Sequence, residues 1–489
     1  MTAGAIAAEY QTIIGLEVHA QVLTRTKMYC GCSADYANAA PNTHVCPVCL
    51  GLPGALPVMN KVAIETVVRT GLALQCDVPA HSKMDRKNYV YPDLPKGYQI
   101  SQYDLPLCVA GTLTFDVAGV EKVAGITRVH IEEDTGRLVH EDLVDGQATL
   151  VDLNRSGVPL MEIVGDPDLR SPEEAREYLV TLRRILRYIL ASTGNMEDGA
   201  FRCDANISIR ALDGGYVGPK VEIKNMNSFR AVERALKYEE VRQRAAVASG
   251  EALFQETRGW VDERGETTSQ RTKEQAHDYR YFPEPDLPPL RIEQGAIAGF
   301  RESLPMLPVA RIEQFVNNYG LSAHDASILT DERAIADVFE TSLAGSQDGD
   351  VQKATANWIL NDMMGLARAQ GLAADQLPFS AIQIGDLVKA VQGGTLTGRA
   401  AKELLSQIGK DELPTTAAAR LNLLSLDNDD EITAAAKAAV EANPSAVADF
   451  QNGKQAAVGR LIGETMKRTG GRARPDVVRQ AIVKLLDEI

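Results

Sequence analysis

Up to about Pro289 the chain alternates apolar and polar residues in short runs broken by Gly, Pro, Asn and Asp, which predicts strands and tight turns. VAGITRVHIEED, GQATLVDLNRS, FRCDANISIRALDGG and GPKVEIKN read as strands, and ALDGGYVG between the last two carries a hairpin signal. Helical runs are interspersed. Ser171-Pro172-Glu173-Glu174 supplies a cap, a first-turn proline and early acids, and AREYLVTLRRILRYILAST follows with apolar residues at threes and fours. AVERALKYEEVRQRAAVAS predicts a second helix. The proline-rich stretch YFPEPDLPPL, residues 281–290, can neither pair as a central strand nor continue a helix, and predicts a domain exit. Beyond it, alanine- and leucine-rich runs predict helices almost throughout, with TTAAARLNLLSLDNDDEI as a loop and then a helix start. The expected class is α+β with a largely antiparallel sheet, followed by all-α regions and a weakly marked boundary near residues 408–416.

Within that pattern three stretches set acids, amides and histidines two residues apart: Glu17-Val18-His19, His130-Ile131-Glu132-Glu133-Asp134 and Asp204-Ala205-Asn206-Ile207-Ser208. Alternate strand residues share a face, roughly 7 Å apart, so each stretch lines up oxygen or nitrogen ligands on one side. Val221-Glu222-Ile223-Lys224 repeats the design, with Glu222 and Lys224 expected outward, while Glu133 points away from His130, Glu132 and Asp134. One such strand reads most simply as the solvated face of an antiparallel sheet. Several together, mixing carboxylates, His, Asn and isolated cations, suit a hard cation and through it a phosphate.

Length and charge narrow the class. A chain of 489 residues predicts two to four domains, and a net charge of −15 argues against extensive non-specific contact with a phosphate backbone. No stretch is apolar enough to span a membrane, and MTAGAIAAEYQTIIG lacks the basic and long apolar regions of a signal peptide. Four of the seven cysteines cluster, which points to a reducing cytoplasm and a metal. Cys30-Gly31-Cys32 and Cys46-Pro47-Val48-Cys49 each suit two corners of a tetrahedral zinc site. Four thiolates would leave no position for water, so a structural zinc is favoured over a catalytic one, and a redox pair is the competing reading. Cys76, Cys108 and Cys203 stand alone as small core residues.

The segment from Asp85 to Tyr103, DRKNYVYPDLPKGYQISQY, mixes cationic, amide and tyrosine groups with Pro and Gly, as an ordered ligand-binding loop would. GxxxxGK[ST] occurs nowhere, which excludes a P-loop. Near the C-terminus Lys454, Arg460, Lys467, Arg468, Arg472, Arg474 and Arg479 face only Glu464 and Asp476 across two helices and a glycine turn. That cluster suits RNA backbone contact, or equally a solvated helix face.

IIGLEVHAQ, DRKNYVYPDLPKGYQISQYD, VHIEEDTG, FRCDANISIR, VEIKNMNSF and HDYRYFPEPDLPPL resemble, in order and spacing, the B subunits of aspartyl/glutamyl-tRNA amidotransferases, and the resemblance runs essentially end to end. It implies a cradle domain over residues 1–295, a helical domain over 296–410 and a tRNA-binding tail domain over 411–489. It also implies an ATP-dependent carbon–nitrogen ligase with glutamine as amido donor, in which ATP phosphorylates the side-chain carboxylate of Glu-tRNA(Gln), Asp-tRNA(Asn) or both and ammonia then displaces phosphate. Carried onto this sequence, the pocket falls on Glu17, His19, Glu132, Asp204 and Glu222, with Glu17 and Glu132 as magnesium ligands. Lys87, Lys96 and Lys224 are implied contacts to ATP or the tRNA 3′ end, and Arg460, Lys467, Arg468, Arg472 and Arg474 contacts to the tRNA body. Cys30, Cys32, Cys46 and Cys49 match the family's zinc-bearing version. The chain carries no recognisable glutaminase, so the resemblance implies two partners, an amidase and a smaller bracing protein (the family's A and C subunits), in a cytoplasmic heterotrimer. Two rivals are a non-catalytic RNA-binding scaffold, which leaves the acid rows unexplained, and a ligase acting on a free small molecule, which leaves the tail without a role.

Overall fold

The computed structural model describes residues 10–143, 146–212, 217–271, 276–373, 375–409, 411–426, 429–452 and 454–487. They divide into two compact units, Met1–Val309 and Ala310–Ile489.

In chain order the strands of the first unit are β1 (Tyr10–Gln21), β2 (His81–Ser82), β3 (Asp85–Asn88), β4 (Tyr98–Ser101), β5 (Cys108–Val117), β6 (Val120–Glu133), β7 (Arg137–Leu143), β8 (Gly146–Asp152), β9 (Pro159–Gly165), β10 (Phe201–Ala211), β11 (Val221–Lys224), β12 (Glu256–Val261), β13 (Glu266–Arg271), β14 (Phe282–Pro283) and β15 (Leu290–Arg291). Its helices are α1 (Lys61–Ala73), α2 (Pro172–Tyr188), α3 (Phe229–Ser249) and α4 (Gln294–Glu302). An eight-stranded sheet in the order β13-β12-β11-β10-β1-β9-β6-β5 organises the unit. Every pairing in it is antiparallel except β11 with β12.

Period-two alternation explains how the sheet is used. Ile14, Leu16 and Val18 of β1 and Cys203, Ala205 and Ile207 of β10 bury one face beside Leu179, Leu182 and Leu186 of α2 and Val232 and Leu236 of α3. Each such large side chain stabilises by roughly 1.5–3 kcal/mol. The opposite face is left for chemistry. Helix α2 starts as its sequence predicts: the Glu174 amide donates to Ser171 Oγ at 3.2 Å, with Pro172 in the first turn. β10 and β11 pair as expected for a hairpin, although residues 213–216 of its turn lie outside the described residues.

Residues 281–290 differ from the expected exit. Phe282–Pro283 pairs with β3 and Leu290–Arg291 with β2, so the stretch straps back onto the first unit. Its prolines are accommodated because these are short peripheral strands with few amides to satisfy. Arg86 fastens the strap through two hydrogen bonds to Glu284, at 2.6 and 2.8 Å. α4 then packs on α1, with Ile297 in the same core, and the unit closes only after Val309.

The second unit is helical throughout its described residues and holds two buried clusters, one running from Phe315 to Leu423 and one from Ile432 to Leu486. TTAAAR, expected as loop, is helical: Pro414 opens the helix Pro414–Arg420, and Ala417 and Ala418 are fully buried in the first cluster.

Candidate functional site

Register builds the site. On the face away from α2 and α3, His19 of β1 stands opposite Arg202 of β10 and Glu162 of β9, and Glu162 stands opposite His130 of β6. Two residues along, the row reads Asp204, Glu17, Val164 and Arg128; on the other side lie Gln21, Leu160 and Glu132. The sheet thus sets Glu17, His19, Glu132, Glu162 and His130 into one patch.

Glu162 is its centre, and spacing by two passes over it. One of its oxygens lies 3.3 Å from Nε2 of His19 and 3.3 Å from Nε2 of His130. His19 Nε2 is in turn 3.8 Å from both Glu17 and Glu132, and Glu132 accepts from Ser101 Oγ at 3.1 Å. The available signal was a lone acid in the otherwise apolar strand PLMEIVG, a residue that burial would exclude unless it were partnered.

The electrostatics follow from this packing. Burial works against a charged His19, but contact with Glu162 and the charges of Glu17 and Glu132 prevail and lift it to about 9. Burial would raise Glu162, yet the two histidines hold it well below the usual carboxylate range. Glu17 is raised, first by burial and then by Glu162, against the opposing pull of His19. Two groups of potential ligands result, Glu17–His19–Glu162 and His130–Glu132–Glu162, the ligand atoms of each within 4.8 Å of one another. Glu162 is common to both. Glu17 and Glu132 fall in separate groups, with His19 between them.

Among the lysines, Lys87 belongs to this patch. Burial opposes its charge, but Glu132, Tyr281 and Glu162 keep it protonated well beyond the ordinary lysine range, and Nζ lies 4.9 Å from the ring of Tyr279. Lys96 is held elsewhere, paired with Glu133 on the other face, where Glu133 also accepts from the Ile100 amide at 2.9 Å. Lys224 pairs with Asp204 and lies 3.8 Å from Glu222. Glu222 does not face solvent as expected: it is 7% exposed and accepts from Thr257 Oγ1 at 2.8 Å, because β12 extends the sheet beyond β11. Nor is His130–Asp134 a solvated face, since all five residues are buried. Asp134, just past β6, accepts from Gln21 and Arg202 at 2.8 and 2.9 Å and serves the structure.

Cys30, Cys32, Cys46 and Cys49 place their sulfurs within 4.8 Å of one another, so the four could hold a metal ion. Beneath them Lys27, only 1% exposed, donates to the His44 carbonyl at 2.7 Å and approaches Cys49 Sγ at 3.8 Å. A buried ammonium there offsets the charge that thiolates carry when they ligate a metal. Cys76, Cys108 and Cys203 are buried in the core, Cys76 and Cys108 near one another beside Gly71.

In the second unit, helices Ala457–Arg468 and Pro475–Asp487 flank a turn in which Gly470 and Gly471 take φ of 65° and 78°, a conformation costly for other residues. Arg468 lies 3.3 Å from Glu464, Arg472 4.0 Å from Glu431, and Arg474 2.6 Å from Asp476, so these three are partly neutralised within the fold. Arg460 and Lys467, seven residues apart and exposed, share a face of the first helix.

Comparison with known proteins agrees with this architecture. A family model described as the GatB/GatE catalytic domain matches residues 12–298, and one described as a GatB domain matches residues 337–486. The B subunit of the aspartyl/glutamyl-tRNA(Asn/Gln) amidotransferase of Thermomicrobium roseum is 54% identical over 98% of this chain and 99% of its own. The B subunits of the same enzyme from Dehalococcoides mccartyi (strain CBDB1) and Moorella thermoacetica are 49% and 48% identical, each over 98% of this chain, covering 99% and 100% of their own lengths. No helix among the described residues is long and apolar enough to cross a membrane. With both of its halves matched and relatives aligned along nearly its whole length, the chain belongs to the family of aspartyl/glutamyl-tRNA(Asn/Gln) amidotransferase B subunits.

Proposed function

We propose that this protein uses ATP to phosphorylate the side-chain carboxylate of Glu-tRNA(Gln), Asp-tRNA(Asn) or both, and that ammonia from a partner amidase then displaces phosphate to leave the amide. A carboxylate resists ammonia at neutral pH because oxide is a poor leaving group. Phosphorylation turns that oxygen into phosphate, which leaves readily. The observation that carries the reading is the partly buried patch in which one buried carboxylate, Glu162, bridges two histidines beside Glu17, Glu132 and the ammonium of Lys87.

The donor set fits a divalent cation: Glu162 shares one group of potential ligands with Glu17 and His19 and another with Glu132 and His130, and carboxylate oxygens are the ligands a hard cation prefers. Glu132 and Glu162, with Glu17 beside them, would hold magnesium, which neutralises charge on a transferring phosphoryl group. The chain's own groups do the rest. Lys87 presents a fixed positive charge to incoming phosphate oxygens. Glu162 orients both imidazoles, and Ser101 orients Glu132. Asp204 and Glu222, partly neutralised by Lys224, frame the adjoining part of the same face and form a second candidate position for ligand contact. Lys96 takes the lesser role of setting Glu133 behind the sheet.

The reading predicts that magnesium-dependent phosphate release from ATP is low for the assembled complex alone and rises sharply when Glu-tRNA(Gln) is added. An RNA scaffold would release none, and a ligase for a free amino acid would respond to glutamate without tRNA.

The four cysteines are assigned to structural zinc, consistent with four free thiols in a reducing cytoplasm. Cys46→Ser is expected to remove about one equivalent of zinc, measured by chelator-coupled absorbance, and to loosen the 30–49 loop to protease. Full zinc retention would contradict the assignment. The tail residues, Arg460 and Lys467 foremost, are assigned to the tRNA body, with the family's small third protein bracing the complex. Truncation before Asp429 spares the helix Pro414–Arg420 and its packing, and is expected to weaken tRNA binding at least about tenfold, as loss of several phosphate contacts does, while slow ATP-dependent amidation persists. An unchanged tRNA Kd by filter binding would sink that assignment.

A further inference from the structure

A run of five tyrosine rings passes beside the acid patch and reaches the surface at both ends. Tyr91 and Tyr279 each pack edge-on against Tyr89 at 5.9 Å, Tyr279 against Tyr281 at 6.1 Å, and Tyr281 stacks on Tyr103 at 4.5 Å with the ring planes 9° apart. Its middle faces the patch: Lys87 lies over Tyr279 and Tyr89, and Tyr281 lies close enough to Lys87, Glu132 and Glu162 for their charges to act on its phenol. At its outer ends Tyr103 is 51% and Tyr91 44% exposed.

The rings are held in place by the fold. Their two parent segments are joined by the pairing of Phe282 with Arg86, by the Arg86–Glu284 hydrogen bonds, and by Asn88, which donates to the Tyr279 and Arg280 carbonyls at 3.3 and 3.0 Å. The Tyr103 amide is fixed to the Asp85 carboxylate at 3.1 Å. Core packing does not require half-exposed rings, and aromatic rings beside a cationic group are the surface on which unpaired bases stack irrespective of sequence.

We propose that this aromatic ledge, with Tyr103 at one open end, binds the unpaired 3′ end of the aminoacyl-tRNA by base stacking. The inference rests on the function proposed above and gives it a substrate-positioning surface. The reacting carboxylate is attached through its aminoacyl ester to the terminal ribose, so the terminal nucleotides must lie just outside the acid patch. A ledge running from the patch into solvent suits successive bases of a single strand. A lone adenine of ATP would occupy one stack and leave the outer rings without a use.

The test compares intact tRNA(Gln) with the same tRNA trimmed of its three 3′-terminal nucleotides, bound to the assembled amidotransferase carrying Tyr103→Ala, Tyr103→Phe or no change. Tyr103→Ala is expected to weaken binding of intact tRNA about five- to a hundredfold, the loss of one base–ring stack. It should leave the Kd for trimmed tRNA and the KM for ATP unchanged. Tyr103→Phe keeps the ring and should bind as the unaltered protein does, and the unchanged trimmed-tRNA Kd and KM for ATP of the alanine variant exclude a folding defect. Equal weakening for both tRNAs, no weakening for either, or a rise in the KM for ATP alone would overturn the proposal. Absence of ATP-dependent amidation by the unaltered complex would instead overturn the phosphoryl-transfer reading, and the intact-against-trimmed comparison would still report on the ledge.

Discussion

Glu162→Gln is expected to lower kcat for ATP-dependent amidation on the order of a thousandfold, the scale on which phosphoryl transfer depends on its charge-stabilising groups. Gln keeps the shape of the side chain and removes its charge. Because one oxygen of Glu162 serves both His19 and His130, the substitution disturbs both groups of potential ligands at once. tRNA affinity should hold, since no part of that role involves the tRNA body. The same variant carries a pH signature. His19 is raised to about 9, so the stability it contributes to the metal-free protein is fully present below its unfolded value of about 6.5 and is lost as pH rises through about 9. Glu162→Gln removes the largest cause of that rise. Urea unfolding should therefore show a smaller loss of stability across this window than in the unaltered protein, and the His19 NMR titration should move down. An unmoved titration would show that Glu162 does not hold His19.

Glu132→Gln is expected to abolish amide formation about as completely, by at least about a hundredfold in kcat, with tRNA still bound. Glu132 is 2% exposed, tied to Ser101 and 3.8 Å from His19, so its charge is directed into the patch and shielded from water. Its neighbour Glu133 pairs with Lys96 on the opposite face, and the two carboxylates are separable by experiment despite being adjacent in sequence. Retained turnover in Glu132→Gln would remove it from the site.

Much of this was legible in the sequence. Period two placed Glu17 with His19, His130 with Glu132, and Asp204 with Asn206 on common faces, and Ser171 marked the start of α2. What alternation could not convey was register between strands, which depends on pairing partners far apart in the chain. Register brings Glu162 between His19 and His130, although its own strand shows no alternation of polar residues. Burial was misjudged for a related reason. Glu222 reads as an outward residue until β12 extends the sheet beside it, and the proline strap reads as an exit until Arg86 and Glu284, nearly two hundred positions apart, are seen to join. The pocket lysines divided similarly: Lys87 and Lys96 flank one loop, yet the fold sends them to opposite faces.

The central claim is that ATP activates the tRNA-bound carboxylate as an acyl phosphate. It is tested most directly by supplying Glu-tRNA(Gln) whose side-chain carboxylate carries a heavy oxygen isotope and analysing the released phosphate by mass spectrometry. Transfer of one labelled oxygen from the glutamyl side chain to inorganic phosphate for each amide formed is the predicted result. Amide formation with unlabelled phosphate would contradict the account.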